Sequence, residues 1–351
     1  MAWRYGGADA PVVVVSGASA GLGRAVATRF ARAGWKVGLI ARDPVRLAEA
    51  AADCVAKGSP HAIELTADVA DWPAVRAAAA RAERELGPID CWVNSAMATV
   101  FSPVAEITPE EVRRVTEVTY LGQVHGALAA LEHMRPRGSG SIVFVGSALA
   151  YRGLPLQAAY SAAKFAVRGF FESLSAELVA EGGDIHVGMV QMPAMNTPQF
   201  DWARSRLDAA PQPVPPIYQP EACANAVYHA AIGRRREVWV GLSSLKLIAG
   251  AMALPGALLD RLMARRGIAG QKSDQPAEPG RPDNLMAPVP GRFGAHGRFD
   301  AVARRRVHEV DPDVLRGVVG LGVGALGLAV CALAGRALLR PTERRRRIVG
   351  R

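Results

Sequence analysis

Between residues 11 and 240 the chain alternates short apolar runs with longer amphipathic stretches. Val12-Val13-Val14-Val15 is β-branched and apolar at every position, the pattern of a strand buried on both faces of a parallel sheet. Comparable runs cover 36–41, 61–65, 89–93, 141–145, 185–190 and 237–240. Helical spacing of apolar positions fills 21–33, 44–57, 72–86, roughly 108–134, 157–181 and 220–232. Strands and helices in this alternation predict an α/β fold: a doubly wound parallel sheet of about seven strands with helices on both faces. No repeat of solenoid length interrupts it. After residue 240 the alternation stops. Residues 247–259 are apolar but broken by Pro255, and 271–297 are rich in Pro, Gly and polar residues. The expected organisation is a cofactor and catalytic domain over 1–240, an irregular C-terminal extension over 241–310, and an apolar Gly/Ala-rich helix with a basic tail over 311–351.

Composition alters this picture mainly at the C-terminus. The net charge is +10, but residues 301–351 hold 11 Arg against 4 acidic residues. The remainder is close to neutral, so a nucleic-acid partner is not expected; that function needs a basic face on the folded domain. Cys54, Cys91, Cys223 and Cys331 are widely spaced. They suggest neither a disulfide framework nor a zinc site, and reduced thiols in the cytoplasm are the expectation. No metal site is expected. Residues 1–10 lack the apolar segment of a secretory signal.

Residues 317–335 are uncharged, bounded by Arg316 and Arg336, and 19 residues long, near the roughly 20 needed to cross a bilayer. Gly320 and Gly324 form a G-x-x-x-G face. A membrane segment is favoured over a buried helix, which makes the catalytic domain cytoplasmic and attached by its tail. The Arg344–Arg347 run would also hold the C-terminus in the cytoplasm. One crossing cannot satisfy both. Either the charge rule yields, or the segment lies on the surface together with residues 247–259.

The chemistry begins where the first strand ends, in Ser16-Gly17-Ala18-Ser19-Ala20-Gly21-Leu22-Gly23. Glycines allow a pyrophosphate to approach the backbone, and the following helix presents free N–H groups and the positive end of its dipole. Downstream, Tyr160 and Lys164 form Y-x-x-x-K, one turn apart on a helix face. An ammonium beside a phenol is expected to lower its pKa from the usual value of about 10, which suits acid–base work. Ser147 ends the fifth strand, thirteen residues before Tyr160.

The G-x-x-x-G-x-G spacing together with Ser147, Tyr160 and Lys164 resembles the short-chain dehydrogenase/reductase family in its single-domain form, from about residue 12 to 240. The resemblance implies a Rossmann fold and an oxidoreductase that moves hydride between a nicotinamide and a carbonyl or alcohol substrate. Gly17, Ser19, Ala20, Gly21, Leu22 and Gly23 would cradle the pyrophosphate. Ser147 would hold the substrate oxygen, Tyr160 would act as general acid/base, and Lys164 would also bond the nicotinamide ribose. Asp68 and Val69 resemble the adenine-contacting pair. Asn94 and Ala96 lie in a turn resembling the family's Asn-Asn-Ala-Gly, with Ser95 and Met97 as departures. Pro193 and Thr197 fall in a segment that closes over the nicotinamide, with Ala194 where relatives carry Gly. Thr119 stands where many relatives have the Asn that holds a proton-relay water.

The second strand ends in Ala41-Arg42, where an NAD enzyme would carry an acid for the ribose 2′-hydroxyl. A guanidinium pairs with a 2′-phosphate, so NADP(H) is the expected cofactor, although Asp43 is close by. NADP commonly accompanies reduction, which points to a carbonyl reductase. Residues 199–216 are expected to form a lid. Met195, Phe200, Trp202 and Tyr218 around it point to a hydrophobic ketone or secondary alcohol. Family analogy implies a homo-oligomer paired through the helices holding Thr119 and Tyr160. The competing reading is a catalytically silent NADP-binding sensor or scaffold held by its tail. No chemistry is expected of the segments around 284–290 and 294–299, and His296 is read as a loop residue rather than a ligand.

Overall fold

The computed structural model describes residues 10–278 and 280–315. The candidate membrane segment 317–335, Cys331 and the basic tail lie outside them. Residues up to Val310 cluster into one compact unit.

Its centre is an eight-stranded sheet. The strands are β1 (Val12–Ser16), β2 (Lys36–Ala41), β3 (Ala62–Thr66), β4 (Ile89–Asn94), β5 (Ser139–Ser147), β6 (Asp184–Met192), β7 (Glu237–Val240) and β8 (Glu309–Val310). Their order is β8-β7-β6-β5-β4-β1-β2-β3. The seven expected strands are all present and pair in parallel. The eighth comes from the extension and runs antiparallel, with Trp239 opposite Val310. It covers an edge that would otherwise expose unpaired backbone groups.

Helices cover both faces. On one side lie α1 (Gly21–Ala31), α2 (Pro44–Ala56) and α7 (Pro220–Ile232). On the other lie α3 (Trp72–Leu86), α4 (Pro109–Thr116), α5 (Gly122–Met134) and α6 (Ala158–Glu181). Val13 and Val15 point into the first layer, Val12 and Val14 into the second, so β1 is buried on both sides, as its unbroken apolar run predicts. Beyond β7 the chain forms α8 (Leu242–Ala253) and α9 (Gly256–Leu262), separated at Pro255. No described helix is long and apolar enough to cross a membrane.

Two details depart from the sequence pattern. The single helix expected over 108–134 is interrupted by a π turn at Glu117–Leu121. Directly after it, Gly122 packs on Val69 so closely that a Cβ would lie 2.5 Å from Val69 Cγ2. Further along, a Cβ on Gly126 would lie 2.1 Å from Asn94 Oδ1. Glycines at both points let α5 sit directly on the sheet.

Local signals account for the helix starts. Asp43 caps α2 by accepting from the Arg46 N–H at 3.0 Å, and Asp71 caps α3 by accepting from the Ala74 N–H. Thr108 and Glu111 form a capping box at α4, each side chain satisfying one of the orphan N–H groups of the first turn. At α1 the cap position is Ala20, with no side-chain hydrogen bond. The sheet order reverses between β1 and β4. In such sheets the crevice beyond the carboxyl ends at the reversal is where ligands bind.

Cys54, Cys91 and Cys223 are buried free thiols. Burial pushes the Cys54 thiol up to about 12. Among the described residues, no group of three or more His, Cys, Asp or Glu side chains is placed to hold a metal ion.

Candidate active site

A cavity of about 490 Å³ runs along the carboxyl ends of the strands. At one end it is lined by Gly17, Ser19, Ala20, Gly21, Leu22 and Gly23 from the first turn, with Arg42, Asp68, Val69 and Ala96 beside them. Ser147, Tyr160, Lys164, Pro193 and Thr197 line its middle. The turn is shaped by close approach of its own backbone. A Cβ on Gly23 would lie 2.2 Å from the Gly17 carbonyl oxygen, and Gly17 itself adopts φ of 74°. Only glycine fits both demands without strain. No side chain caps α1; past Gly21, Leu22 and Gly23 of its first turn line the cavity.

Three expected residues are elsewhere. Asn94 is fully buried between β4 and α5, where its Oδ1 accepts from Trp92 Nε1 at 3.0 Å. It does not line the cavity. Thr119 is also fully buried and away from the cavity. Its hydroxyl donates to the Ala98 carbonyl at 2.8 Å and accepts from the Ala98 N–H at 2.9 Å. The hydroxyl that was expected at a relay water is instead bonded to the chain beyond β4. Tyr218 is buried under Gly241 and Pro193 and likewise contributes nothing to the cavity wall.

Lys164 is buried, and its Nζ donates to the Val145 carbonyl at 2.7 Å. It sits 5.6 Å from the centroid of the Tyr160 ring. Ser147 Oγ accepts from the Leu149 N–H at 3.1 Å. The expected lowering of the phenol by the ammonium is not what the structure shows. Burial dominates both groups: it pushes Tyr160 up to about 12, with the Ser147 hydroxyl pulling the other way. It brings Lys164 down to about 7. Water-poor surroundings disfavour both charged forms. At neutral pH Tyr160 is therefore a neutral phenol with a proton to give.

The far end of the cavity is apolar, with Phe101, Leu149, Leu154, Met195 and Phe200 on its walls. Several residues of 199–216, the expected lid, line the cavity, and the segment is tied down. Arg204–Ser205 pairs with Val100–Phe101, and Ala209–Pro211 pairs with Lys272–Pro276. Glu111 accepts from Arg204 Nη1 at 3.0 Å and from Arg206 Nη2 at 2.8 Å.

Sequence reasoning missed two participants. The first is Arg46, which is 5% exposed and lines the cavity. Its Nη2 pairs with Asp43 at 2.8 Å, while Nε and Nη1 have no partner among the described residues. The rings of Trp202 and Phe293 lie 5.3 and 5.5 Å from its guanidinium. Asp43 is thereby accounted for as a helix cap and ion-pair partner. The second is the extension. Arg42 donates to the carbonyls of Asn284 at 2.6 Å and Met286 at 3.1 Å. Arg24 donates to the Phe293 carbonyl, and the Gly21 N–H donates to the Gly294 carbonyl at 3.0 Å. Asn284 and Pro288 line the cavity beside Arg42. These contacts use backbone oxygens, which no side-chain pattern announces. His296 lies outside the cavity, between Glu221 and Asp300 at 2.8 Å each.

Residues 11–207 match the family model described as short chain dehydrogenase. The chain belongs to the short-chain dehydrogenase/reductase family. It is 35% identical over 270 residues to an uncharacterized oxidoreductase of Bacillus subtilis, covering 76% of this chain and 75% of that one. A 3-dehydrosphinganine reductase of Danio rerio is 32% identical over 192 residues, 54% of this chain and 57% of the relative. A hydroxysteroid 11-beta-dehydrogenase 1-like protein of Xenopus tropicalis is 30% identical over 228 residues, 65% and 77%. The chain thus spans just over half the length of the sphinganine reductase. As a family member it is an oxidoreductase that uses a nicotinamide cofactor on a carbonyl or alcohol group of a small molecule.

The lid ties give a pH dependence. Burial would raise the Glu111 carboxyl, but Arg206, the Thr108 N–H and Arg204 overcome it and hold the group at about 2. A free glutamate titrates near 4.3. The stability it contributes is complete above about pH 4.3 and is lost as pH falls towards 2. Denaturant titrations across this range should show that loss in the wild type and a flatter profile in Glu111→Gln. Equal profiles would remove Glu111 as the lid's anchor.

Proposed function

We propose that the protein reduces hydrophobic ketones with NADPH, with Tyr160 as the proton donor. The observation that carries this reading is the Tyr160 phenol beside Ser147 and Lys164 in the wall of one cavity, with a glycine turn at one end and an apolar chamber at the other. The residues fit a dinucleotide: the glycine cradle leaves room for a pyrophosphate, and Arg46 holds two buried donors without acceptors.

When bound, the reduced nicotinamide supplies hydride. The chain's own residues do the rest. Ser147 orients the ketone oxygen by a hydrogen bond. Tyr160 donates its proton to that oxygen as negative charge develops there. Lys164 places positive charge beside the phenol as it becomes phenolate. Oxidation of the alcohol uses the same groups in reverse. Pro193 and Thr197 close the nicotinamide end of the crevice, and Asp68 and Val69 flank the adenine end.

NADP rather than NAD is supported by two guanidiniums and the occupation of Asp43. Arg42 is oriented by the extension's carbonyls, and Arg46 offers Nε and Nη1 to a 2′-phosphate. A charge-assisted hydrogen bond from a guanidinium suits that group. A lipid or steroid-like ketone is supported by the apolar chamber and by the sphinganine and steroid substrates in the names of two relatives.

Tyr160→Phe should lower kcat/KM for NADPH-dependent ketone reduction by roughly 10²–10⁴-fold while leaving NADPH affinity near the wild type. Equal turnover by the two proteins would refute the proposed role. Arg46→Ala should weaken NADPH binding by about ten- to a hundredfold, since hydrogen bonds to a charged group are lost. NADH binding, measured in the same fluorescence titration, should barely change. Equal weakening of both cofactors would assign Arg46 to the fold instead.

A further inference from the structure

The corner between α8 and α9 exposes a continuous run of apolar side chains. Residues 252–258, Met-Ala-Leu-Pro-Gly-Ala-Leu, are all exposed without interruption. Met252 is 61%, Leu254 42% and Leu258 45% exposed. A helix lying flat on a protein alternates buried and exposed positions with its 3.6-residue period. Exposure of every residue around a turn instead marks a protruding corner. The corner is nonetheless firmly seated. Ile248 and Leu259 are buried beneath it, and Ile248 packs with Ala148 and Trp239 of the domain.

Cations lie on the chain either side of the corner. Lys246, Arg261, Arg265 and Arg266 are exposed, and none of their side chains has a hydrogen-bond or ion-pair partner among the described residues. The one acid between residues 242 and 270, Asp260, is taken by Arg152. Ser243, Ser244 and Leu247 of α8 and Met263, just past α9, line the cavity, and Arg266 is both exposed and part of its wall. The cavity therefore reaches the surface beside this corner.

We propose that the α8–α9 corner docks on an anionic lipid surface, with Met252, Leu254 and Leu258 entering the headgroup boundary and the four cations facing lipid phosphates and carboxylates. Charge complementarity selects this occupant. Each cation near an anionic bilayer adds to binding, and apolar side chains that enter the boundary add the rest. A second copy is disfavoured, because a twofold contact would set the same four cations against each other. The arrangement also lets a lipid-borne ketone pass from the bilayer into the cavity. That last step rests on the ketone-reductase reading, whereas the docking surface does not.

The test uses the full chain and vesicles of phosphatidylcholine with or without phosphatidylserine, read by co-sedimentation. The wild type should bind vesicles containing phosphatidylserine about tenfold more tightly than those without. The double variant Leu254→Glu, Leu258→Glu should lose about tenfold in that binding while keeping its thermal midpoint and its kinetics with a water-soluble ketone. Its KM for a ketone presented in vesicles should rise. Absence of vesicle binding by the wild type would overturn the proposal. So would undiminished binding by the variant, which would place the lipid contact elsewhere in the chain. Loss of self-association in the variant without loss of vesicle binding would assign the corner to a second copy. Normal lipid behaviour with no turnover of any ketone would leave the surface standing and remove the substrate reading.

Discussion

The site is organised by one hydrogen bond, from the buried ammonium of Lys164 to the carbonyl of Val145. It joins the long helix α6 to the end of β5, two residues before Ser147. A charge-capable group so deep in the protein needs a partner, and the strand carbonyl is that partner. With Lys164 fixed, Tyr160 one turn earlier can only face the crevice, alongside Ser147. The same burial that makes this bond necessary sets the protonation states. A phenol pushed up to about 12 keeps its proton, and an ammonium brought down to about 7 sits near its midpoint. Proton donation to a ketone needs the first of these; the second leaves the lysine able to respond to charge on the phenol.

A second constraint operates at the cofactor end. The absence of a side chain on Gly23 lets the first turn fold onto Gly17, and α1, with no side-chain cap, keeps an opening to the cavity beyond its first N–H, which the Gly294 carbonyl takes. Around that opening the extension contributes oxygens rather than side chains. Arg24, Arg42 and the Gly21 N–H are all held by carbonyls between residues 284 and 294. Arg42 is consequently oriented before any ligand arrives, which lowers the ordering cost of binding. Arg46 is buried between an acid and two aromatic rings and keeps two donors vacant. Vacant buried donors are costly in a folded protein, and a phosphate in the crevice would relieve that cost.

Much of the fold was legible because buried parallel strands write themselves as unbroken apolar runs. Val12–Val15 and its six counterparts all appear in the sheet. β8 was not legible: two residues, Glu309 and Val310, carry no periodicity. The π turn at Glu117–Leu121 was also hidden, since five residues are too few for a change of helical period to register. At the site, the glycine turn and the Ser147, Tyr160 and Lys164 spacing are local signals, and those residues share one cavity wall. Asn94 and Thr119 were placed by motif position, yet their side chains turn towards Trp92 and Ala98. Motif position fixes the backbone, not which way a buried polar group finds its partner. Arg46 escaped notice because an arginine in the first turn of a helix reads as an exposed charge. Its burial depends on Trp202 and Phe293, which are more than 150 residues away.

The most direct test of the central claim is a crystal structure of the protein with NADP and an unreactive analogue of a hydrophobic secondary alcohol. The analogue's oxygen is expected to sit within hydrogen-bond reach of both Tyr160 Oη and Ser147 Oγ, with Lys164 still on the Val145 carbonyl. An oxygen bound elsewhere in the cavity, with the Tyr160 hydroxyl uncontacted, would contradict the account.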